Sequence, residues 1–140
     1  MWGVASGSGG VGVYGQATTA NTVGVTAQGS YASNSVALSI AGGNIRVQGA
    51  GNNTSTPAFI HITTVASISA NYSVIHNSMC DGNPNAILLV TPNLSPQGVL
   101  AAYNNHPIGV WYNGSNWTIF EQDSVAMPVG EAFNVLIIKR

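Results

Sequence analysis

The sequence predicts an all-β protein with two parts: a repetitive β-stem that several chains build together, and a β-sandwich or jelly-roll-like head. Three observations lead to this fold class. Apolar and polar residues alternate over short runs, helical spacing of apolar residues is sustained nowhere, and the composition changes sharply near residue 56.

Charge is scarce along the whole chain. Charged residues make up 5% of its 140 residues and apolar residues 45%, whereas a typical soluble domain is about a quarter charged. Three Lys plus Arg cannot neutralise a run of phosphates or hold the chain on anionic lipid, so we expect no nucleic-acid partner. Because no apolar run approaches the roughly 20 residues that span a bilayer, we expect no membrane insertion either.

The change in composition divides the chain into two predicted domains. Residues 1–56 hold twelve of the seventeen Gly and one charged residue, Arg46, while residues 57–140 hold all six Pro and all three His. We therefore predict a Gly/Val-rich β-repeat stem with its connector over residues 1–56. The head domain is predicted over residues 57–140.

The stem contains a degenerate repeat of about twelve residues. The segment Gly12–Ala17 is echoed by Gly24–Gly29, and apolar residues alternate within each unit. Such short strands of small residues cannot bury a core alone, so we expect several chains to share one, with three-fold closure the preferred symmetry. A flexible stalk, or a meander on the second half, is the alternative. The predicted oligomer core comprises Val11, Val13, Val23, Val25, Val36, Leu38, Ile40, Ile45 and Val47.

The head reads as seven short strands separated by turn residues. The continuous apolar run at 86–90 predicts a central strand, and so does the last strand, which is apolar on both faces. The sequence Asn113-Gly114 predicts a hairpin turn with a four-residue loop. The predicted strands are Phe59–Thr64, Tyr72–His76, Ile87–Thr91, Val99–Tyr103, Gly109–Tyr112, Trp117–Glu121 and Ala132–Ile138.

Two resemblances cover most of the chain. The Gly-Val-Tyr-Gly-Gln type of repeat, ending in 37–47, resembles the stem repeats of phage tail fibres and bacterial surface fibres. The second half is similar to a small uncharacterised domain at the carboxyl ends of secreted bacterial repeat proteins. Its matching segments include 103–112, 117–120 and 132–136. The resemblance implies an extracellular fibre and carries no assigned activity.

Metal and catalytic sites find little support in the sequence. Zinc needs three or four convergent ligands, but His61, His76, His106 and Cys80 show no paired spacing. A catalytic carboxylate pair would need two of the four acidic residues to converge in a pocket. Of these, Glu121 and Asp123 are expected to be solvated. We therefore predict no enzyme activity, no metal and no cofactor.

The aromatic residues Trp111, Tyr112 and Trp117 are the strongest candidates for a binding site. Successive strand residues face opposite sides, so Trp111 and Tyr112 cannot both be core, and one of them should be exposed. A flat aromatic ring beside amides and carboxylates suits a sugar, which stacks its CH groups on the ring. The predicted hydroxyl partners are Asn104, Asn105, His106, Gln122 and Asp123. The alternative interpretation is that these aromatics fill the core or an oligomer interface.

The leading hypothesis is a non-enzymatic extracellular fibre or adhesin end, in which an oligomeric stem presents a surface-glycan-binding head. Its partners would be further copies of itself, as a homotrimer, and a cell-surface glycan. A purely structural, self-assembling subunit of an extracellular filament or shell is the alternative from a different class. A monomeric secreted lectin is a third.

Overall fold

The computed structural model describes residues 13–19, 23–30, 35–41, 45–47 and 53–139. The chain divides into two compact units, Met1–Asn44 and Ile45–Arg140. All strands assigned within the described residues belong to the second unit. No helix in this part of the chain has the length and apolarity needed to cross a membrane.

The second unit is built from two antiparallel sheets. One has three strands in the order β1-β7-β4, and the other has four in the order β2-β3-β6-β5. A 3₁₀ turn, Pro96–Gly98, is the one helical element among the described residues. This arrangement confirms the predicted all-β class. The strands are β1 (Ala58–Ile62), β2 (Ile68–Ser69), β3 (Tyr72–Val74), β4 (Ile87–Pro92), β5 (Ile108–Tyr112), β6 (Trp117–Glu121) and β7 (Ala132–Ile138).

The core lies between the inner faces of the two sheets. Alternation along β7 sends Phe133, Val135 and Ile137 inward, where each is at most 5% exposed. Ile119 of β6, fully buried, meets them from the four-stranded sheet. One apolar cluster therefore holds the two sheets together.

Six of the seven predicted strands are confirmed, and the one predicted at Val99–Tyr103 is wrong. Residues 99–103 form no strand and contribute only a parallel bridge between Ala102 and Glu131. The chain is redirected just before them, because Gln97 and Gly98 both have positive φ, at 54° and 80°. Strand β2, only two residues long, was not predicted.

The continuous apolar run at β4 does not mark a central strand. Strand β7 is central in the three-stranded sheet, as its two apolar faces predicted, but β4 lies at the sheet edge. The strand is apolar on both faces although only one face is buried. Leu88 points into the core, while Ile87 and Leu89 are 44% and 53% exposed. The outer face of this sheet is thus aliphatic.

The hairpin between β5 and β6 turns at the predicted residues. Asn113 N–H donates to the carbonyl of Asn116 at 2.9 Å, and the Asn113 side chain accepts from the N–H groups of Ser115 and Asn116. Gly114 takes a φ of 103°, which favours glycine. The turn fixes the register that places Trp111 opposite Thr118.

In the first unit, glycines allow successive repeats to approach closely. A Cβ added to Gly15 would lie 2.5 Å from the carbonyl oxygen of Gly24, and one added to Gly24 would lie 2.9 Å from the carbonyl oxygen of Gly15. A Cβ added to Gly29 would likewise lie 3.2 Å from the backbone nitrogen of Ala37. Residues 13–19, 23–30 and 35–41 form no strand in the single chain, so the short strands predicted for the assembled stem stay a prediction.

The predicted oligomer core is exposed in the single chain. Val11 lies outside the described residues, and the other members have exposures between 42% and 76%. The trimeric stem remains a prediction. The exposed members are Val13, Val23, Val25, Val36, Leu38, Ile40, Ile45 and Val47.

Candidate functional site

The two neighbouring aromatics of β5 face opposite sides of the four-stranded sheet. Trp111 points outward and is 49% exposed. Tyr112 is half-buried and contacts Trp117 with ring centroids 5.6 Å apart. The expectation that one of Trp111 and Tyr112 is exposed is therefore confirmed.

Three aromatic rings lie on the outer face of this sheet, and we call them the aromatic face: Tyr72, Trp111 and Phe120. The Tyr72 and Trp111 rings meet edge to face, with centroids 5.7 Å apart and planes at 88°. Phe120 lies over Gly109, where an added Cβ would stand 2.7 Å from the ring carbons Cε1 and Cζ. The missing side chain at position 109 lets this ring lie close to the sheet.

Two members of the aromatic face, Tyr72 and Phe120, were missed by the sequence analysis. Each belongs to a predicted strand, and the register pairs Tyr72 with Phe120 and Phe120 with Gly109. The alternation of strand residues could have identified Phe120. The hairpin pairs Trp111 with Thr118, so residues 118 and 120 lie on the same face of the sheet as Trp111. The pairing of β3 with β6 could not be read from local pattern.

Gln122 supplies an amide at the rim of the aromatic face. Its Nε2 donates to the carbonyl of Ile108 at 2.8 Å and lies 3.1 Å from the Cβ position of Gly109. The side chain remains exposed. An aromatic surface bordered by a positioned amide results.

Trp117 is held from inside the domain. Its indole Nε1 donates to the carbonyl of Asn83 at 3.0 Å, and its ring packs against the core. The structure therefore places Trp117 and Tyr112 on the inner side of the sheet, away from the aromatic face.

The loop residues predicted to hold hydroxyl groups interact with one another. His106 Nδ1 and Asp123 Oδ2 are 2.6 Å apart at the surface. This hydrogen bond raises the pKa of His106 and lowers the pKa of Asp123. Asn104 Oδ1 accepts from the His106 N–H at 2.8 Å, and Asn105 is exposed in the same loop.

Asn104 also reaches a buried pair of carboxyl groups. Its Nδ2 donates to Glu121 Oε1 at 2.8 Å and to Glu131 Oε2 at 3.2 Å. Glu121 ends β6 and Glu131 immediately precedes β7, and neither has any exposed surface. The expectation that Glu121 is solvated is wrong, because position 121 lies on the inward side of β6 with Ile119.

The two carboxyl groups share a proton-dependent contact. Glu121 Oε2 and Glu131 Oε1 have no donor while both groups are ionised. Burial, followed by the negative charge of Glu121, raises the pKa of Glu131 to about 7. Protonated Glu131 donates to Glu121, so the pair joins the end of one sheet to the start of a strand in the other.

A second polar contact joins the sheets through His61 of β1. Its Nε2 lies 2.8 Å from the hydroxyl of Ser73, a fully buried residue of β3. Burial, then the charge of His76, lowers the pKa of His61 to about 4. The imidazole is therefore neutral at physiological pH and acts as an internal hydrogen-bonding group.

The remaining reactive candidates lie apart. Cys80 is fully buried, and burial followed by the charge of Asp81 raises the pKa of its thiol to about 11. Within the described ranges, no group of three or more His, Cys, Asp or Glu side chains is placed to hold a metal ion. The carboxyl pair Glu121 and Glu131 is fully covered by the protein.

Comparison with protein families matches residues 44–137 to a family described as a domain of unknown function, DUF7452. The chain belongs to this family. Comparisons with curated proteins and with solved structures gave no match.

Proposed function

We propose that this DUF7452 protein is a non-enzymatic, oligomeric fibre end whose head binds a surface glycan on its aromatic face. The observation that carries the proposal is the half-exposed Trp111 ring braced by Tyr72. Aromatic rings offer a flat apolar surface for the CH groups of a sugar, while polar groups at the rim hold hydroxyls. Gln122 lies at this rim, with its Nε2 3.1 Å from the Cβ position of Gly109, on which the Phe120 ring rests.

The polar residues of the loop at 104–106 support the site indirectly. Asn104 is engaged with buried carboxyl groups, and His106 with Asp123. These contacts fix the loop beside the end of β6, next to Gln122. We therefore assign the hydroxyl contacts first to Gln122, with Asn105 and Asp123 at the periphery.

The low charge of the chain suits an assembly that binds many weak sites at once. Copies with a formal net charge of −1 repel one another little. Multivalent presentation raises the effective affinity of a shallow face without new contacts. Localisation outside the cell, on a secreted protein or a virion, belongs to the same proposal.

Screening of the full chain on a glycan array tests the proposal. We expect Trp111→Ala to lose the bound glycans, because it removes the exposed ring. Val65→Ala is the control, since Val65 is 81% exposed and lies outside the strands that form the two outer faces. An absence of binding by a verified oligomer would overturn the recognition half of the proposal.

A structural, self-assembling subunit is the second candidate. The observation that favours it is the aliphatic outer face of the three-stranded sheet, where Leu89, Leu136 and Ile138 are 38% to 53% exposed. Exposed apolar patches mark interaction surfaces. Negative-stain microscopy distinguishes the two, because extended filaments favour this candidate and discrete short particles favour the glycan-binding fibre end.

A further inference from the structure

Strand β1 presents unpaired backbone groups at the edge of the three-stranded sheet. Ile137 N–H donates to the carbonyl of Pro57 at 2.7 Å, and Thr63 N–H donates to that of Glu131 at 2.8 Å. In an antiparallel ladder this alternation continues, so the backbone groups of Ile60 and Ile62 point away from β7. Among the described residues, no strand or loop is hydrogen-bonded to β1 on that side.

The opposite edge of the same sheet is protected. Asn93 N–H donates to the carbonyl of Ala132 at 2.8 Å, so the neighbouring Pro92 occupies the outward position of β4. Proline has no N–H there, which is a common way to prevent strand addition. Strand β1 has neither a proline nor a Lys, Arg, Asp or Glu, so only the β4 edge carries such protection.

A groove of about 660 Å³ runs along β1. Its other wall is the segment 96–101, in which Val99 and Leu100 are 69% and 77% exposed. This wall is fixed in place, since Ala101 N–H donates to the carbonyl of Leu94 at 2.7 Å. None of the residues that line the groove carries a charged side chain.

The chain itself contains a segment with the matching pattern. Residues 36–40 alternate aliphatic and small side chains without charge, as the groove lining requires. Val36, Leu38 and Ile40 are 71%, 70% and 51% exposed, and residues 35–41 form no strand. Their length of five residues equals that of β1. A strand edge open among the described residues and a segment with strand-like alternation therefore coexist in one sequence.

We infer that the groove along β1 binds residues 36–40 of a second copy of this chain as an added antiparallel strand. The backbone groups of Ile60 and Ile62 supply the hydrogen bonds, and the apolar walls accept alternate side chains. This goes beyond glycan binding, because it assigns the contact through which copies assemble.

Cysteine cross-linking between copies tests the inference. A mixture of full-length Leu38→Cys and Leu100→Cys chains should form a disulfide-linked heterodimer under mild oxidation, since Leu100 lines the groove. Leu38→Cys mixed with Val65→Cys is the matched control, because Val65 is 81% exposed and lies outside the groove. The native Cys80 is buried and should not contribute.

Two results would overturn the inference. One is equal cross-linking of the groove and control mixtures, or none in either. The other is a disulfide within the chain, with none between chains, when Leu38→Cys and Leu100→Cys are placed in one chain, because the chain's own segment would then occupy the groove.

A proline substitution in β1 tests the inference independently, with the mass in solution measured by light scattering. Ile60→Pro removes only the outward N–H and leaves the β1–β7 ladder intact, so we expect a folded protein that loses the assembled species. Ile60→Thr keeps the N–H and should retain the assembly. Near-ultraviolet circular dichroism verifies folding, and a folded Ile60→Pro chain with the wild-type mass would contradict the inference.

Discussion

The two sheets of the second unit share one core but present different outer faces. The four-stranded sheet carries the aromatic face, where Trp111 stands against Tyr72. The three-stranded sheet carries aliphatic residues outside, among them Leu89 and Leu136. Because the inner faces meet the same need for burial, the two sheets differ mainly in their outer faces, and we propose a different function for each.

The exposed apolar surface of this chain is of two kinds, one aromatic and one aliphatic. Rings braced edge to face, with an amide at the rim, form a surface suited to a small polar ligand with apolar patches. Branched aliphatic side chains beside an unpaired strand edge suit another polypeptide. We assign recognition to the first surface and assembly to the second.

The largest expected effects concern the polar groups that tie the two sheets together. The raised pKa of Glu131 stabilises the fold fully below about pH 4.5, and this contribution is lost as the pH rises through about 7. The lowered pKa of His61 acts oppositely: its contribution is present above about pH 6.5 and is lost as the pH falls through about 4. Each is worth on the order of 3 kcal/mol.

We therefore expect the opposite pH dependences of these two contributions to offset each other between pH 4.5 and 6.5, so that their sum changes little in the wild type. In Glu131→Gln, whose amide donates to Glu121 at every pH, the free energy of unfolding should rise with pH across this window. In His61→Gln it should fall with pH. Urea denaturation at several pH values measures both, and parallel profiles for the two variants would contradict the assignment.

A smaller loss of stability is expected from filling the space beneath the aromatic face. Gly109→Ala places a Cβ 2.7 Å from the Phe120 ring, so we expect a loss of about 1 to 3 kcal/mol. Phe120→Leu should relieve the clash, and the double variant should lose less than the two single losses combined. Additive losses in thermal unfolding would show that the ring does not rest on Gly109.

Removing Trp111 should separate stability from binding. Trp111→Ala loses one edge-to-face contact, so the free energy of unfolding should fall by about 1 kcal/mol or less. Glycan binding should be abolished. Denaturation and glycan binding measured on the same preparation test this, and a large loss of stability would mean that Trp111 is structural.

The smallest effect on stability is expected from the aliphatic outer face. Leu89→Thr introduces a β-branched side chain, which suits a strand, at an exposed edge position, so the free energy of unfolding should change by only about 0.5 kcal/mol. Glycan binding should be unchanged. A loss of binding comparable to that of Trp111→Ala would remove the distinction between the two outer faces.

Much of the head could be predicted from local pattern, and its failures have physical causes. Alternation identified β7 and the β5–β6 hairpin, because burial of one face imposes a period of two. It failed at Val99–Tyr103, where apolar residues line a groove instead of a ladder. Long-range pairing decides such cases, and a single sequence does not reveal it.

The candidate site was predicted in part for the same reason. Parity correctly required one of Trp111 and Tyr112 to be exposed, and applied to β6 it would have placed Glu121 inward beside Ile119. The approach of Glu131 could not be predicted, since it depends on how the two sheets pack. The stem repeat predicts short strands, and their pairing between chains stays a prediction.

The indole N–H resonances of the full chain test the central claim most directly. Trp117 provides an internal reference, because its indole N–H is bonded to the Asn83 carbonyl inside the domain. On titration with a glycan selected from the array, we predict that the Trp111 indole signal shifts while that of Trp117 stays in place. A shift of Trp117 with an unchanged Trp111 would contradict recognition by the aromatic face.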